Sequence, residues 1–260
     1  MRFLGVWLVG AMPCVFAYGQ GSPANTQAIP QLAAIVERMQ AVQSDPGVAP
    51  PYQVIREYTL FSENSSNPSS DVWAEVDYLP PNHKTYVIQK RVGSSRGEDV
   101  VRRILQRESE MGTEPRSQSA VDNSNYSFAY LGEATLEGMP CYLLSLNPKR
   151  KEAQLIRGRA WVDQHSFRIR RIEGEMARSP SWLLKRVNLK IGFADVGGAW
   201  LQTDMEAVAE VRFLGSQTLK SDTVDARVGN LVTQRTAPDF HDRSAKSNRV
   251  PAAVVVPHHL

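Results

Sequence analysis

The sequence predicts a mainly β domain of the α+β class: one long antiparallel sheet with two helices set early in the chain. Three observations predict it. Apolar residues recur at helical spacing in two stretches, about 30–44 and 98–111. From Val54 onward the period is otherwise two. Clusters of Gly, Pro, Asn and Ser cut that alternation into about ten runs. A sheet of that many strands tends to curl or close, and two helices are too few to cover both of its faces.

Residues 1–19, MRFLGVWLVGAMPCVFAYG, hold one early cation, Arg2, and no charge from Phe3 to Ala17. Ala17-Tyr18-Gly19 follows, small at its first and third positions. This is the anatomy of a secretory signal peptide, cleaved after Gly19. The run is too short to span a bilayer. Pro13 argues against a buried core helix, and it also fits poorly before Cys14 in a lipoprotein signal. Export to the periplasm is the expectation, and it removes the cytosol and most nucleotide and nucleic-acid chemistry.

Residues 20–29 read as a flexible lead-in, 30–235 as a single domain and 236–260 as a disordered tail. Pro30 opens the first helix. Leu32, Ile35, Val36, Met39 and Val42 make its apolar stripe, and Asp45-Pro46-Gly47 ends it. Val54, Arg56, Tyr58 and Leu60 then alternate with Ile55, Glu57, Thr59 and Phe61. After the turn at 64–70, Val72, Ala74, Val76 and Tyr78 do the same. A third strand begins at Tyr86-Val87-Ile88, after Pro80-Pro81. The second helix covers Glu98 to Met111, with Val100, Val101, Ile104 and Leu105 as its stripe and acidic residues where the dipole favours them. Residues 112–125 are polar, a loop or lid. Strands then follow at Tyr126–Tyr130, Cys141–Leu146, Gly158–Asp163, Phe167–Gly174, Leu184–Phe193, Leu201–Phe213 and Ser221–Arg227. Val187, Leu189, Ile191 and Phe193 are a clean period-two set.

Charge is near balance, 30 basic residues against 27 acidic. Lys149-Arg150-Lys151 reads as a solvated hairpin loop, and Arg168-Arg170-Arg171 as the wet face of a strand. Once the leader is removed, Cys141 is the single cysteine, so the exported domain has no internal disulfide. In MPCYLLSL it reads as a small buried hydrophobe. The five histidines lack HExxH spacing, and no GxSxG, P-loop or GxGxxG is present. The expectation is a protein that is not an enzyme, with no catalytic residue, cofactor or metal.

Residues 126–213 carry a resemblance. Cys141-Tyr142-Leu143-Leu144-Ser145-Leu146 leads into Arg159-Ala160-Trp161-Val162-Asp163-Gln164-His165-Ser166-Phe167-Arg168-Ile169-Arg170-Arg171-Ile172-Glu173-Gly174. The second segment resembles the WVD hairpin of the LolA-like superfamily of periplasmic proteins: lipoprotein carriers, their outer-membrane receptors and some regulatory sensor domains. A strand over Trp182 to Phe193 and then Trp200-Leu201-Gln202 follow, as they do there. The resemblance implies an unclosed barrel, a curved antiparallel sheet capped by two or so helices, with a cavity for acyl chains. The hairpin is expected to be a folding element with Trp161 mostly buried. The carriers latch their lid helices with an arginine on an early strand. Arg56 stands in a suitable place, but one arginine is not a motif, and no ligand contact is carried over.

An acyl chain gains about 0.8 kcal/mol per buried CH₂, so a carrier needs apolar area and no catalytic group. The meander offers Val54, Tyr58, Leu60, Val72, Val76 and Tyr78 on one parity as the hydrophobic binding face; their competing role is ordinary core under the helices. The expected function is a periplasmic carrier for a lipid or lipidated protein, related to outer-membrane lipoprotein sorting. Its partners would be an acyl chain, lipid or lipoprotein and a membrane-bound donor or acceptor protein, with no nucleic acid. The alternative is an envelope-stress sensor or protein-interaction domain on the same fold.

Overall fold

The computed structural model describes residues 28–44, 50–63, 65–81, 83–113 and 118–229. The expected signal peptide at 1–19, the expected lead-in up to residue 27, the expected domain end at 230–235 and the expected tail at 236–260 lie outside the described residues.

Helix α1 spans Ala28–Ser44 and α2 spans Ser95–Thr113. Ten strands accompany them: β1 Tyr52–Ser62, β2 Ser70–Leu79, β3 His83–Gly93, β4 Tyr126–Leu136, β5 Met139–Pro148, β6 Ile156–Asp163, β7 Ile169–Met176, β8 Leu184–Val196, β9 Ala199–Val211 and β10 Gly215–Val228. They form one antiparallel, unclosed sheet in the order β3-β2-β1-β10-β9-β8-β7-β6-β5-β4. The chain thus makes two runs of neighbouring strands, β1–β3 and β4–β10, and joins them by pairing β1 with the last strand.

The cross-strand register fixes the faces. Tyr130, Leu144, Ala160, Ile172, Ile191, Met205, Ser221, Tyr58, Val72 and Arg91 stand opposite one another in a single row across all ten strands. Directly opposed residues share a face. This inner face is therefore apolar almost from edge to edge, and both helices lie on it. Ile35, Val36 and Met39 of α1 pack with Tyr126, Leu144, Leu146, Ala160 and Ile172. Val101 and Leu105 of α2 pack with Tyr52, Val54, Tyr58, Val72 and Val76. The helices thus cover opposite ends of the sheet: α1 packs on β4, and α2 on β2 and β3.

Gly158 and Gly174 oppose each other where β6 meets β7. A Cβ on Gly158 would lie 1.9 Å from the Glu173 carbonyl, and one on Gly174 2.2 Å from that of Arg157. Glycine pairs of this kind let strands approach closely and let a sheet bend.

Several boundaries differ from the sequence reading. Phe167 and Phe213 fall in turns with φ of 55° and 68°, so β7 begins at Ile169 and β9 ends at Val211. Val100 faces outward, 41% exposed, because the α2 stripe is narrower than its apolar content. Trp161 lies partly buried on the outer face: it pairs with Leu143 and Arg171, and the Arg159 guanidinium lies 5.4 Å from its ring centroid. Val162 and Asp163 are the fully buried members of the WVD motif.

Candidate functional site

The six residues picked from the sequence gather at one end of the inner face. Val54, Tyr58, Val72 and Val76 are at most 1% exposed, Tyr78 is buried, and Leu60 packs partly buried beside them. They form the floor beneath α2. Tyr78 stacks on Tyr52 with ring centroids 4.9 Å apart, and its hydroxyl donates to the Pro81 carbonyl at 2.8 Å.

A charge cluster pins α2 over this floor. The Arg56 Nη1 donates to Glu108 Oε2 at 2.8 Å, and Lys84 Nζ donates to Glu108 Oε1 at 2.7 Å. Arg56 comes from β1, Lys84 from β3 and Glu108 from the underside of α2, so one carboxylate ties the helix to two strands. The Arg56 side chain is 5% exposed, and its Nε has no partner. Burial alone would raise the Glu108 carboxyl; the charges of Arg56 and Lys84 outweigh it and hold the group below its usual range. Burial would lower Lys84, but Glu108 raises it on balance. Burial raises the neighbouring Tyr58 phenol.

The sequence reading missed the middle of the face. Leu189 and Ile191 of β8, and Met205 and Ala207 of β9, belong to the apolar rows, yet each is only half-buried. Leu189 and Ile191 pack against the cluster that holds α1, and Met205 and Ala207 against the cluster that holds α2, so the two clusters meet where β8 pairs with β9. Their period-two pattern was visible, but nothing in a strand's own sequence says how far away the covering helix ends. Two open pockets, of about 470 and 660 Å³, lie elsewhere. One is lined by Ile88, Arg91, Glu98 and Arg102 along β3 and α2, the other by Phe61, Glu63 and Lys220 at the far end of β1.

The remaining polar groups have structural work. Asp163 Oδ1 accepts from the backbone N–H of His165 and Ser166 and from Ser166 Oγ, at 3.0, 2.8 and 3.0 Å. Its Oδ2 accepts from Arg170 Nε at 2.8 Å. Burial opposes the charge, but these donors hold the carboxyl at about 2. Arg168 and Arg170 lie over the Trp200 ring, and Arg171 pairs with Glu137 at 2.6 Å. Cys141 is buried, and burial raises its thiol. Among the described residues no group of three or more His, Cys, Asp or Glu is placed to hold a metal ion.

A family model described as an uncharacterized protein matches residues 98–225. No curated protein matches the chain. Among solved structures, the chain is similar to a candidate outer membrane lipoprotein-sorting protein domain from Vibrio parahaemolyticus. The identity is 15% and the TM-score 0.43, over 80% of this chain and 97% of that one. It is similar to a DUF1329 family protein from Desulfovibrio piger, with 15% identity and TM-score 0.40 over 77% of this chain and 93% of that one. It is also similar to a LolA superfamily protein from Nitrosomonas europaea, with 13% identity and TM-score 0.39 over 80% of this chain and 94% of that one.

Proposed function

We propose that this protein is an exported, periplasmic binding protein that carries a lipid or the acyl chains of a lipidated protein, not an enzyme. One observation carries the reading: the inner face is apolar over most of its width, while the main helix contacts fall on β4 and on β2 and β3, and Leu189, Ile191, Met205 and Ala207 stay partly exposed. An acyl chain would lie on Leu189, Ile191, Met205 and Ala207, between α1 and α2. Each CH₂ taken from water there contributes about 0.8 kcal/mol. The floor of Val54, Tyr58, Leu60, Val72, Val76 and Tyr78 becomes a second part of the site when α2 lifts. Sealed as it stands, that floor is core. The Arg56–Glu108–Lys84 cluster sets the cost of lifting.

Organic extraction of the purified protein, followed by mass spectrometry, tests the reading together with a fluorescent fatty-acid probe. Co-purifying lipid and saturable probe binding are expected. Met205→Asp and Ile191→Asp should each weaken probe binding at least tenfold, because a carboxylate on an apolar face is costly to desolvate. Glu75→Lys should leave it unchanged, since Glu75 lies on the outer face, bonded to Gln53 and Gln89. A protein that carries no lipid and shows no saturable binding overturns the proposal.

A further inference from the structure

The largest exposed apolar side chains sit together at one end of the sheet. Phe213 is 91% exposed, Trp182 74%, Leu214 60% and Leu183 41%. They occupy two adjacent turns: residues 177–183 between β7 and β8, and residues 212–214 between β9 and β10. The turns are bonded into one unit. The Arg212 N–H donates to the Leu183 carbonyl and Arg212 Nε to the Trp182 carbonyl, both at 2.8 Å. The Ser181 carbonyl accepts from the Leu184 N–H, and the Leu214 carbonyl from the Gln217 side chain. The carbonyls of Ser181, Trp182, Leu183 and Leu214 are therefore satisfied within the protein.

Phe213 is placed against backbone preference. The Leu214 N–H donates to the Val211 carbonyl, which makes 211–214 a β-turn, and Phe213 stands at its third position with φ of 68°. That position favours Gly or Asn, and a bulky residue there is strained. The fold keeps a large apolar ring in full solvent at a site where glycine would be better in every local respect. A strained position that also exposes a large ring motivates the search for a contact there.

We infer that this tip is a membrane-docking surface, which inserts Trp182, Phe213 and Leu214 into the headgroup layer of a bilayer containing anionic phospholipid. The chemistry fits that partner. Residues 177–183 and 212–214 hold Arg178 and Arg212 and no carboxylate, and Lys185 and Arg186 follow directly on β8. The nearest acids stand behind the tip. Glu175 pairs with Arg186, Glu210 is the β9 register partner of Arg186, and Glu63 reaches Gly215. Tryptophan prefers the membrane interface, and cations just behind it attract anionic headgroups. The bonds accepted by the Ser181, Trp182, Leu183 and Leu214 carbonyls lower the penalty that a bare loop would meet there. A second copy of this chain is a poorer partner, since a two-fold contact would set Arg178, Lys185 and Arg212 against themselves.

The test is co-sedimentation with phosphatidylcholine vesicles made with and without phosphatidylglycerol. It uses protein purified from its host with the same N-terminus in every variant. Wild type should bind the anionic vesicles and lose binding as salt rises. Its Trp182 emission should be quenched by brominated acyl chains, and the quenching should vanish in Trp182→Phe. The double variant Trp182→Ala, Phe213→Ser should lower partitioning at least tenfold with an unchanged melting temperature, because neither side chain is in the core. Arg178→Glu with Lys185→Glu should weaken binding to anionic vesicles alone. No binding by wild type, equal binding by the double variant, or binding without Trp182 quenching overturns the proposal. So does a wild-type dimer that the double variant dissolves without any vesicle binding.

Discussion

Single residues decide two measurable properties of this protein. Asp163 holds the hairpin at 163–168 through three donors on one oxygen and Arg170 on the other. Its folded carboxyl titrates at about 2, against about 3.9 in an unfolded chain. A lowered value contributes stability above the unfolded value, which is lost as pH falls through the folded one. Asp163→Asn should therefore cost about 2 kcal/mol at neutral pH and less below pH 4, read by urea denaturation at several pH values. Glu108 has the same sign, so the clamp on α2 weakens as pH drops below the ordinary carboxylate range. Lys84 is raised, so its share is lost only at strongly alkaline pH. Glu108→Gln leaves the Arg56 guanidinium buried without a counterion and should cost about 3 kcal/mol, measured by thermal melting. The parity of Arg56 was legible, since it falls between Val54 and Tyr58. Its partner was not, because Glu108 lies 52 residues away on another element and only folding brings them together.

Among the elements, the helices and strands were the most legible, and their ends the least. The stripe of α1 reads directly from Ile35, Val36 and Met39, because only one helical face can hold all three. In α2 the pattern over-predicts: Val100 adjoins Val101 but points to water. Leu105→Ala should therefore cost about 2–5 kcal/mol, while Val100→Ala should stay within about 0.5 kcal/mol. Chemical denaturation of both variants separates the buried stripe from its exposed neighbour. Within the WVD hairpin, Trp161 supplies area on the outer face, Val162 joins the core and Asp163 makes the turn. If α2 is the movable lid, Glu108→Gln should speed amide hydrogen exchange across 95–113 more than across α1. Equal acceleration in the two helices would mean global destabilisation without a lid.

At the scale of the molecule, an antiparallel sheet with helices on one face was readable from periods and counts, while the strand order was not. Alternation fixes which residues share a face, but it carries no record of which strand is a neighbour. Nothing in Val54 or Tyr58 points to Ala226 or Ser221, their partners across more than 160 residues. The partial exposure of Leu189, Ile191, Met205 and Ala207 was illegible for the same reason: it depends on how the helices pack on the folded sheet. Extraction and probe binding read out the proposed ligand on that stretch, whereas vesicle binding reads out the tip, so the two can fail separately.

The pairing of β1 with β10 sets the order of events during folding. In the sheet, β10 is the only strand that joins β1–β3 to β4–β9. Until residues 215–228 are available, the chain holds two half-sheets with open edges at β1 and β9, each with one helix. Loop closure on this scale is slow, and open strand edges invite pairing between chains. A chain cut before Gly215 should keep much of its strand signal in circular dichroism yet aggregate. Adding a synthetic peptide of residues 215–228 should partly restore solubility. The strand that closes the sheet is thus its keystone, and both half-sheets keep an open edge until it pairs.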